Sequence, residues 1–337
     1  MDIDVILNEF DSPRAIAEQA ALAESYGFRA VWSASYATGR DCFLSLAEAA
    51  RATSKILLGP LAVSPMELHP LKMMQQLLTL NELCDGRATI TIGAGGGVLD
   101  AMDIKRKNMV ESVRECVEII RAALSGDDVA YYGDHYSAHK FDARWAKDIP
   151  PPQIYIGASQ QQMSYMATEK ADGLMGSDLI PPLIRLSKSW VEEGLAKNDR
   201  AGQPFGISNF WAWHIKKDKQ ESKREACREL VLRGILRPRY TDVLLSEEDS
   251  AFVQENKGLF WRAFGMRADK IDGAPEHIVD ALINGLSSTG DLGDLDREIE
   301  RFKEYERLGL TEIAIRVHDD PVDGIKLIGE HLIPALR

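Results

Sequence analysis

The feature that most limits the fold is a regular alternation of short apolar segments with helical ones. Eight segments have the length and apolar character of strands, and each is followed by a helical pattern. Short apolar strands joined by helices are typical of a parallel sheet covered by helices. The predicted strands are 3–7, 29–33, 56–61, 88–92, 154–156, 173–175, 205–215 and 311–317. Eight such units favour a closed (β/α)8 TIM barrel, an α/β fold, over an open doubly wound sheet.

One stretch breaks this alternation. Residues 236–270 are irregular in pattern, charged and aromatic, and we interpret them as a helical or irregular insertion late in the chain. The 337 residues would suffice for two average domains, but they also fit one barrel with an insertion. We therefore expect residues 1–337 to form a single TIM-barrel domain.

Composition argues against several classes of binding partner. The net charge of −12 argues against nucleic acid and against an anionic membrane surface. No apolar run approaches 18 residues, and the chain enters a strand at once without a signal peptide, so we expect a cytoplasmic protein. The four cysteines (Cys42, Cys84, Cys116 and Cys227) show no C-x-x-C spacing. His135 and His139 are interpreted as surface residues, so no metal site is expected.

A glycine-rich loop follows the fourth predicted strand. Four of the five residues 93–97 are glycine, which leaves backbone N–H groups uncovered and permits close approach to a ligand. The loop does not match G-x-G-x-x-G, because Val98 stands where the third glycine would be. A tight strand-to-helix connection is the alternative interpretation.

A second turn of small residues follows the next strand, where Gly157, Ala158 and Ser159 lead into a helix at Gln160. The free N–H groups and positive dipole end of a helix suit a phosphate, and Ser159 adds a hydroxyl. The alternative is that Ser159 only caps its own helix. Both turns fall at the same end of the predicted barrel, which favours one phosphorylated cofactor bound there.

Three further stretches lie near strand ends. Pro60 and Pro65 flank the end of the third strand and indicate an unusual bend. After the second strand, Tyr36 and Arg40 are candidates to face the pocket, and Trp32 is expected in the core. The aromatic stripe 210–214 alternates in facing, which is more typical of core packing than of a cofactor platform.

In these features the chain resembles the bacterial luciferase-like family of flavin- and coenzyme F420-dependent oxidoreductases, nearest in pattern to the methylenetetrahydromethanopterin reductase-like F420-dependent proteins. The resemblance covers nearly the whole chain. It is carried, in this order, by LAESYGF (22–28), residues 57–70, LNELCDGR (80–87), residues 92–97, residues 154–163 and ADG (171–173).

The resemblance implies a bound F420, with FMN as the alternative, a small-molecule substrate and a homodimer. It places the cofactor against three sets of residues: Leu61, Ala62, Val63 and Ser64; Ala94, Gly95 and Gly96; and Gly157, Ala158, Ser159, Gln160 and Gln161. It also implies a non-prolyl cis peptide bond, which would be Leu61–Ala62 here. Tyr36 stands where relatives have histidine, so we expect its phenol to be the catalytic hydrogen-bond donor.

The chain departs from this family at positions that choose the substrate. Many F420-dependent relatives carry Asp-His where Ser35 and Tyr36 stand, and some alcohol-oxidising relatives carry a glutamate where residues 96–98 offer none. The first strand also lacks the glutamate of the methylene-pterin reductases. We expect an F420-dependent hydride-transferring oxidoreductase acting on a small organic substrate. The alternatives are an FMN-dependent monooxygenase and a non-catalytic cofactor-binding barrel.

Overall fold

The computed structural model describes residues 1–125 and 129–337. Its strands are β1 (Asp2–Leu7), β2 (Ala30–Ala34), β3 (Leu57–Leu61), β4 (Thr89–Ile92), β5 (Val129–Tyr132), β6 (Ser137–Phe141), β7 (Gln153–Gly157), β8 (Gly173–Ser177), β9 (Gly206–Trp213), β10 (Ser287–Ser288) and β11 (Glu312–Val317). Strands β5 and β6 form an antiparallel hairpin.

The remaining strands form one parallel sheet in the order β3-β2-β1-β11-β9-β8-β7-β4, with β10 beside β9. Isolated parallel bridges, Leu58 to Ala88 and Val63 to Ile92, join the two end strands. The sheet is therefore a nearly closed barrel of eight parallel strands, and the predicted TIM-barrel fold is confirmed. Because all eight strands run the same way, their C-terminal ends meet at one rim, which we call the barrel mouth.

Helices follow the strands around the outside. They are α1 (Pro13–Tyr26), α2 (Ala47–Ala52), α3 (Pro70–Leu83), α4 (Gly97–Ala101), α5 (Met109–Ala123), α6 (Gln161–Lys170), α7 (Pro181–Lys197), α8 (Lys219–Glu229), α9 (Pro238–Leu244), α10 (Glu247–Glu255), α11 (Lys257–Gly265), α12 (Glu276–Leu286), α13 (Leu295–Leu308), α14 (Pro321–Leu327) and α15 (Ile333–Leu336). Local chemistry sets their ends. Helix α1, for example, begins at the Ser12 cap and ends at Gly27, whose φ is 85°.

The stretch predicted as an insertion is helical. Residues 236–270 contain α9, α10 and α11, so of the helical and irregular forms expected for this insertion the structure has the helical one. Ser246 caps α10, and three acidic side chains follow in its first turn, a start signal that is visible in the sequence. These helices bury Tyr240, Val253 and Phe260 within the main hydrophobic core.

The core has two layers. The larger lies between the strands and the helices, and the smaller fills the barrel, with Trp32, Tyr155 and Phe210 among its buried members. Polar side chains close the end opposite the mouth: the carboxylate of Asp4 accepts from Arg29 and from Trp32 Nε1, and Tyr155 donates to Glu312. Because this end is plugged, the mouth is the open end for a ligand.

Candidate active site

The third barrel strand carries a bulge at the mouth. Five residue steps separate Leu58 from Val63, whereas four separate their partners Ala88 and Ile92, so β3 holds one extra residue against β4. The predicted bend is therefore present. The bulge falls beside Ala62, which is partly exposed and lies close to Gly93: a Cβ on that glycine would sit 3.1 Å from the Ala62 Cβ.

The cis peptide bond expected at this bend is absent. No cis bond occurs in the described residues, which include Leu61 and Ala62. The residues on either side keep their sheet partners without it, because the Leu61 carbonyl accepts from Ser35 N (2.6 Å) and Val63 N donates to the Thr91 carbonyl (3.0 Å). The extra residue alone accounts for the bend.

The four residues predicted around this bulge differ in exposure. Leu61 lies in the barrel interior, Val63 is in the outer core, and Ser64 is fully buried, with its Oγ accepting from Met66 N (3.2 Å). Only Ala62 of the four is partly exposed. A cofactor ring at the mouth would therefore meet the backbone of this segment and the Ala62 methyl.

The glycine loop separates into two parts. Gly95 has a φ of 84°, and a Cβ there would lie 2.3 Å from Leu99 Cδ1, so packing alone explains that glycine. No heavy atom lies within 4 Å of the position of a Cβ on Gly96 or Gly97, and Ala94 is partly exposed. Packing therefore does not require glycine at positions 96 and 97. The open space beside them would let a ligand contact the backbone directly, and we call these two residues the glycine cradle.

The turn at residues 157–161 leaves the start of α6 without a protein cap. Gln160 is the N-cap residue, with no side-chain cap bond and no acidic residue in the first turn. The alternative that Ser159 caps its own helix was therefore wrong. Ala158 is buried, while Gln160 and Gln161 are exposed and Gly157 and Ser159 partly so. Uncapped N–H groups at the positive end of a helix dipole form a site suited to an anion.

An arginine from the late helical segment reaches this turn. Arg239 on α9 donates from its guanidinium to the Ser159 carbonyl and stacks on Tyr240, with its Cζ 5.1 Å from the ring centroid. Its Nε is buried and has no hydrogen-bond partner among the described residues. A cation with an unpaired donor next to an uncapped helix start adds to the anion-binding character. Sequence reasoning missed Arg239, because its approach to Ser159 spans 80 residues.

Tyr36 lies at the mouth among charged side chains. The residue is 41% exposed. Partial desolvation raises the phenol pKa, and the guanidinium groups of Arg316 and Arg233 oppose the rise. The predicted catalytic position thus brings an O–H donor together with two cations from other parts of the chain.

Arg40, the other candidate after β2, has a structural role. It donates from its side chain to the Phe10 carbonyl and from its backbone N to the Glu9 carbonyl (3.0 Å). Glu9 in turn accepts from the buried Arg316. These contacts tie the loops after β1 and β2 together and hold the segment that carries Tyr36.

A buried ion pair closes another side of the mouth. Asp178 follows β8 and contacts Arg233 Nη1 at 3.2 Å, while its second oxygen accepts from Gly234 N (2.8 Å). Burial raises the pKa of Asp178, and Arg233 counteracts this. Arg233 also lies over the Phe210 ring, with its Cζ 5.4 Å from the centroid. No local sequence pattern marks this pair, which is separated by 55 residues.

The aromatic stripe on β9 packs as expected. Phe210 belongs to the barrel interior, whereas Trp211 and Trp213 lie in the outer core.

Within the described ranges, no three His, Cys, Asp or Glu side chains group as metal ligands would. Nor does any helix among those residues have the length and apolar composition needed to span a bilayer.

These features fit a phosphorylated, ring-containing cofactor. The cradle above Gly96 and Gly97 and the buried, unpaired Nε of Arg239 are both unexplained by packing. The uncapped α6 start lies at the same mouth. The segments predicted to hold the cofactor therefore end at one rim of the barrel, where Ala62, Ala94, Gly96 and Ser159 are at least partly exposed and Val63, Ser64 and Ala158 are buried.

The similar proteins reported below are all reductases or dehydrogenases, and two of them are named as F420-dependent. The chain is 28% identical over 325 residues to the 5,10-methylenetetrahydromethanopterin reductase of Archaeoglobus fulgidus, covering 94% of each chain. It is also 28% identical over 350 residues to the F420-dependent glucose-6-phosphate dehydrogenase of Beutenbergia cavernae, covering 97% of this chain and 94% of that one. The solved F420-dependent tetrahydromethanopterin reductase of Methanopyrus kandleri superposes with a TM-score of 0.80 at 24% identity, over 100% of this chain and 99% of the other.

The model of one family, described as luciferase-like monooxygenase, matches residues 4–312. That match begins within β1 and ends at the first residue of β11. The oxidoreductase class expected from the sequence agrees with the named relatives. The chain belongs to the luciferase-like monooxygenase family.

Proposed function

We propose that this protein is an F420-dependent oxidoreductase that transfers hydride between the bound deazaflavin and a small organic substrate. The observation that carries the proposal is the joint placement, at one barrel mouth, of an uncapped helix start and a glycine loop with open space beside Gly96 and Gly97. The choice of F420 is supported by curated relatives that are 28% identical over nearly their full length, one of which is named as F420-dependent.

In this proposal the 157–161 turn holds the cofactor phosphate. Backbone N–H groups at the start of α6 and the Ser159 hydroxyl donate to it, and Arg239 supplies a positive charge beside them. The deazaflavin ring lies across the β3 bulge at Ala62 and against residues 94–96. When bound, the cofactor supplies the hydride chemistry, and the protein supplies orientation and electrostatics.

Tyr36 serves the substrate side of this site. Its phenol is the donor that stands after β2, and the positive charges of Arg316 and Arg233 act on its pKa. A phenol with a raised pKa stays protonated at neutral pH and donates a hydrogen bond. We propose that it orients a polar atom of the substrate towards the ring. The homodimer expected from the family resemblance is also part of this proposal, and light scattering on the purified protein tests it.

Titration with oxidised F420 and, separately, with FMN tests the proposal. We expect tight, saturable binding of F420, followed by the change in its visible absorption, and much weaker binding of FMN. Tight FMN binding with weak F420 binding would favour the monooxygenase alternative. Binding of F420 without turnover of any reduced or oxidised substrate would favour the non-catalytic barrel.

A further inference from the structure

The segment between α8 and α9 contains a strained turn at the mouth. Three consecutive residues, Gly234, Ile235 and Leu236, have positive φ values of 55°, 52° and 43°. Residues other than glycine enter this left-handed region singly and rarely, and a β-branched residue there is a clear outlier. A strained backbone of this kind persists only where its surroundings hold it, and such strain is concentrated at ligand-binding sites.

Contacts with the end of β8 hold this turn in place. Asp178, which follows β8, accepts a hydrogen bond from Gly234 N (2.8 Å). Tyr240 packs against the turn, because a Cβ on Gly234 would lie 2.3 Å from Tyr240 Cε2. The Tyr240 phenol also donates to the carbonyl of Ser177, the last residue of β8 (2.9 Å). The turn and the start of α9 are therefore fixed to the mouth beside β8.

The turn separates arginines that differ in their partners. Arg233, before the turn, forms an ion pair with Asp178. Arg237 and Arg239, after the turn, have no carboxylate within ion-pair distance in the described part of the chain. Arg239 donates to the Ser159 carbonyl, whereas the exposed Arg237 makes no side-chain hydrogen bond with any described residue. The positive charges of Arg237 and Arg239 are therefore not neutralised by the fold.

The phenol of Tyr240 shows that these two arginines lie close together. Burial, helped by the charge of Asp178, raises the pKa of Tyr240 to about 12, and the positive charges of Arg239 and Arg237 oppose the rise. Both guanidinium groups therefore lie near one phenol at the end of β8. We call Arg237 and Arg239 the arginine pair. Guanidinium groups suit carboxylates and phosphates, because their planar N–H groups can bind two oxygens at once.

The order of strands around the barrel places the arginine pair next to the proposed phosphate site. In the proposed function the ring lies at the ends of β3 and β4, and the phosphate lies at the end of β7. Strand β8 is the next strand of the sheet after β7. Arg239 contacts Ser159 in the turn after β7, and the pair lies near the Tyr240 phenol at the end of β8. A group attached to the phosphate on the side away from the ring would therefore extend towards the pair.

F420 has such a group, because beyond its phosphate it carries a tail of γ-linked glutamates, each with a free carboxylate. We propose that Arg237 and Arg239 bind carboxylates of this glutamate tail. This inference rests on the proposed function, because it takes F420 as the cofactor. It adds a binding site beyond those of the ring and the phosphate, and it involves no step of the reaction.

The charge of the protein supports a dedicated site for the tail. Because the net charge is −12, a tail of several carboxylates is repelled by most of the surface. The carboxylates close to the pair along the chain and in space already have partners: Asp178 pairs with Arg233, and Asp242 on α9 accepts from Ser250. The arginine pair is therefore free to bind a carboxylate of a ligand.

The test compares two forms of oxidised F420, one with a long glutamate tail and one without glutamates. Equilibrium titration, followed by the visible absorption of the deazaflavin, measures both affinities and requires no turnover. We expect the long-tailed form to bind the parent protein about tenfold more tightly, which is the effect of one or two exposed ion pairs. This preference should shrink as salt is added, because exposed ion pairs are screened.

Substitutions in the arginine pair separate the tail from the phosphate. Arg237→Gln should reduce the preference for the long tail to about threefold or less and leave the affinity for the tail-free form unchanged. Arg239→Gln should weaken the binding of both forms, since Arg239 also lies beside the phosphate turn. Arg51→Gln is the control and should match the parent protein, because Arg51 is exposed and precedes β3 at the opposite end of the barrel.

Two checks separate tail binding from folding. The melting temperature of Arg237→Gln should equal that of the parent protein, because the Arg237 side chain is exposed and makes no hydrogen bond within the described residues. Arg237→Lys keeps the positive charge without the planar guanidinium, so it should retain more of the preference for the long tail than Arg237→Gln does.

The possible results differ in what they overturn. Equal affinity of the parent protein for the two forms overturns the tail site and leaves F420 in place as the cofactor. A preference for the long tail that is the same in Arg237→Gln as in the parent protein overturns the assignment to this pair. Failure of both forms to bind overturns the proposed function, and this inference with it.

Discussion

The substitution Ser159→Asp tests the phosphate site by changing cofactor affinity and stability in opposite directions. It puts a carboxylate before the uncapped first turn of α6, where no acidic residue now stands. A negative charge at that position should stabilise the helix by about 0.3–1 kcal/mol, because it lies at the positive end of the helix dipole. A bound phosphate would meet the same carboxylate. Two unit charges about 4 Å apart near a protein surface repel by roughly 4 kcal/mol.

Arg239 moderates that repulsion. Its guanidinium already contacts the Ser159 carbonyl and would neutralise part of the new charge. We therefore expect F420 affinity to fall by between about tenfold and a thousandfold, since each 1.4 kcal/mol or so is a factor of ten. Ser159→Asn is the matched control, because it has nearly the same shape without the charge, and it should lose far less.

Equilibrium titration of F420 and thermal unfolding of the unliganded protein measure the two effects. We expect weaker binding together with an equal or slightly higher melting temperature. Unchanged affinity in Ser159→Asp would refute the placement of the phosphate. Equal losses of F420 affinity in the Asp and Asn variants would show that the size of the side chain, rather than its charge, weakens binding.

Three further predictions concern other parts of the molecule. Tyr36→Phe should lower kcat in steady-state assays with F420 affinity nearly intact, and an unaltered kcat would make Tyr36 a packing residue. Glu24 accepts the backbone N–H groups of residues 54–56 at 2.6–2.9 Å, so Glu24→Gln should cost about 1–3 kcal/mol in denaturant unfolding, whereas Glu18→Gln on the exposed face of α1 should not. Contacts with His214 and Lys216 hold the folded-state pKa of Glu225 at about 2 against an ordinary 4.5, so its contribution to stability is present above about pH 4.5 and is lost as the pH falls towards 2. Glu225→Gln should flatten that part of the stability profile, and an unchanged profile would contradict the ion-pair account.

Much of the fold was predictable because its signals are local. Ser12 and Gly27 mark the beginning and the end of helix α1 in the sequence itself. The period-two alternation of β9 placed Trp211 and Phe210 on opposite faces of the strand, and they lie in different layers of the core. The bend at β3 was signalled by its flanking prolines. The cis bond expected there was wrong, because the extra residue already supplies the bend.

The site was less predictable because its charged members come from distant segments. The 157–161 turn and the glycine loop were visible as composition, since small residues after strands are a local pattern. Arg233 and Arg239 reach the mouth from the segment after β9, where no periodic pattern marks them.

The most direct test of the account is a crystal structure of the protein with oxidised F420. We predict that the cofactor phosphate lies within hydrogen-bond distance of the first-turn N–H groups of α6 and of Ser159. The deazaflavin ring should cross the bulge at Ala62, with its reactive carbon facing Tyr36. A phosphate bound away from α6, or a ring outside the barrel mouth, would contradict the central claim.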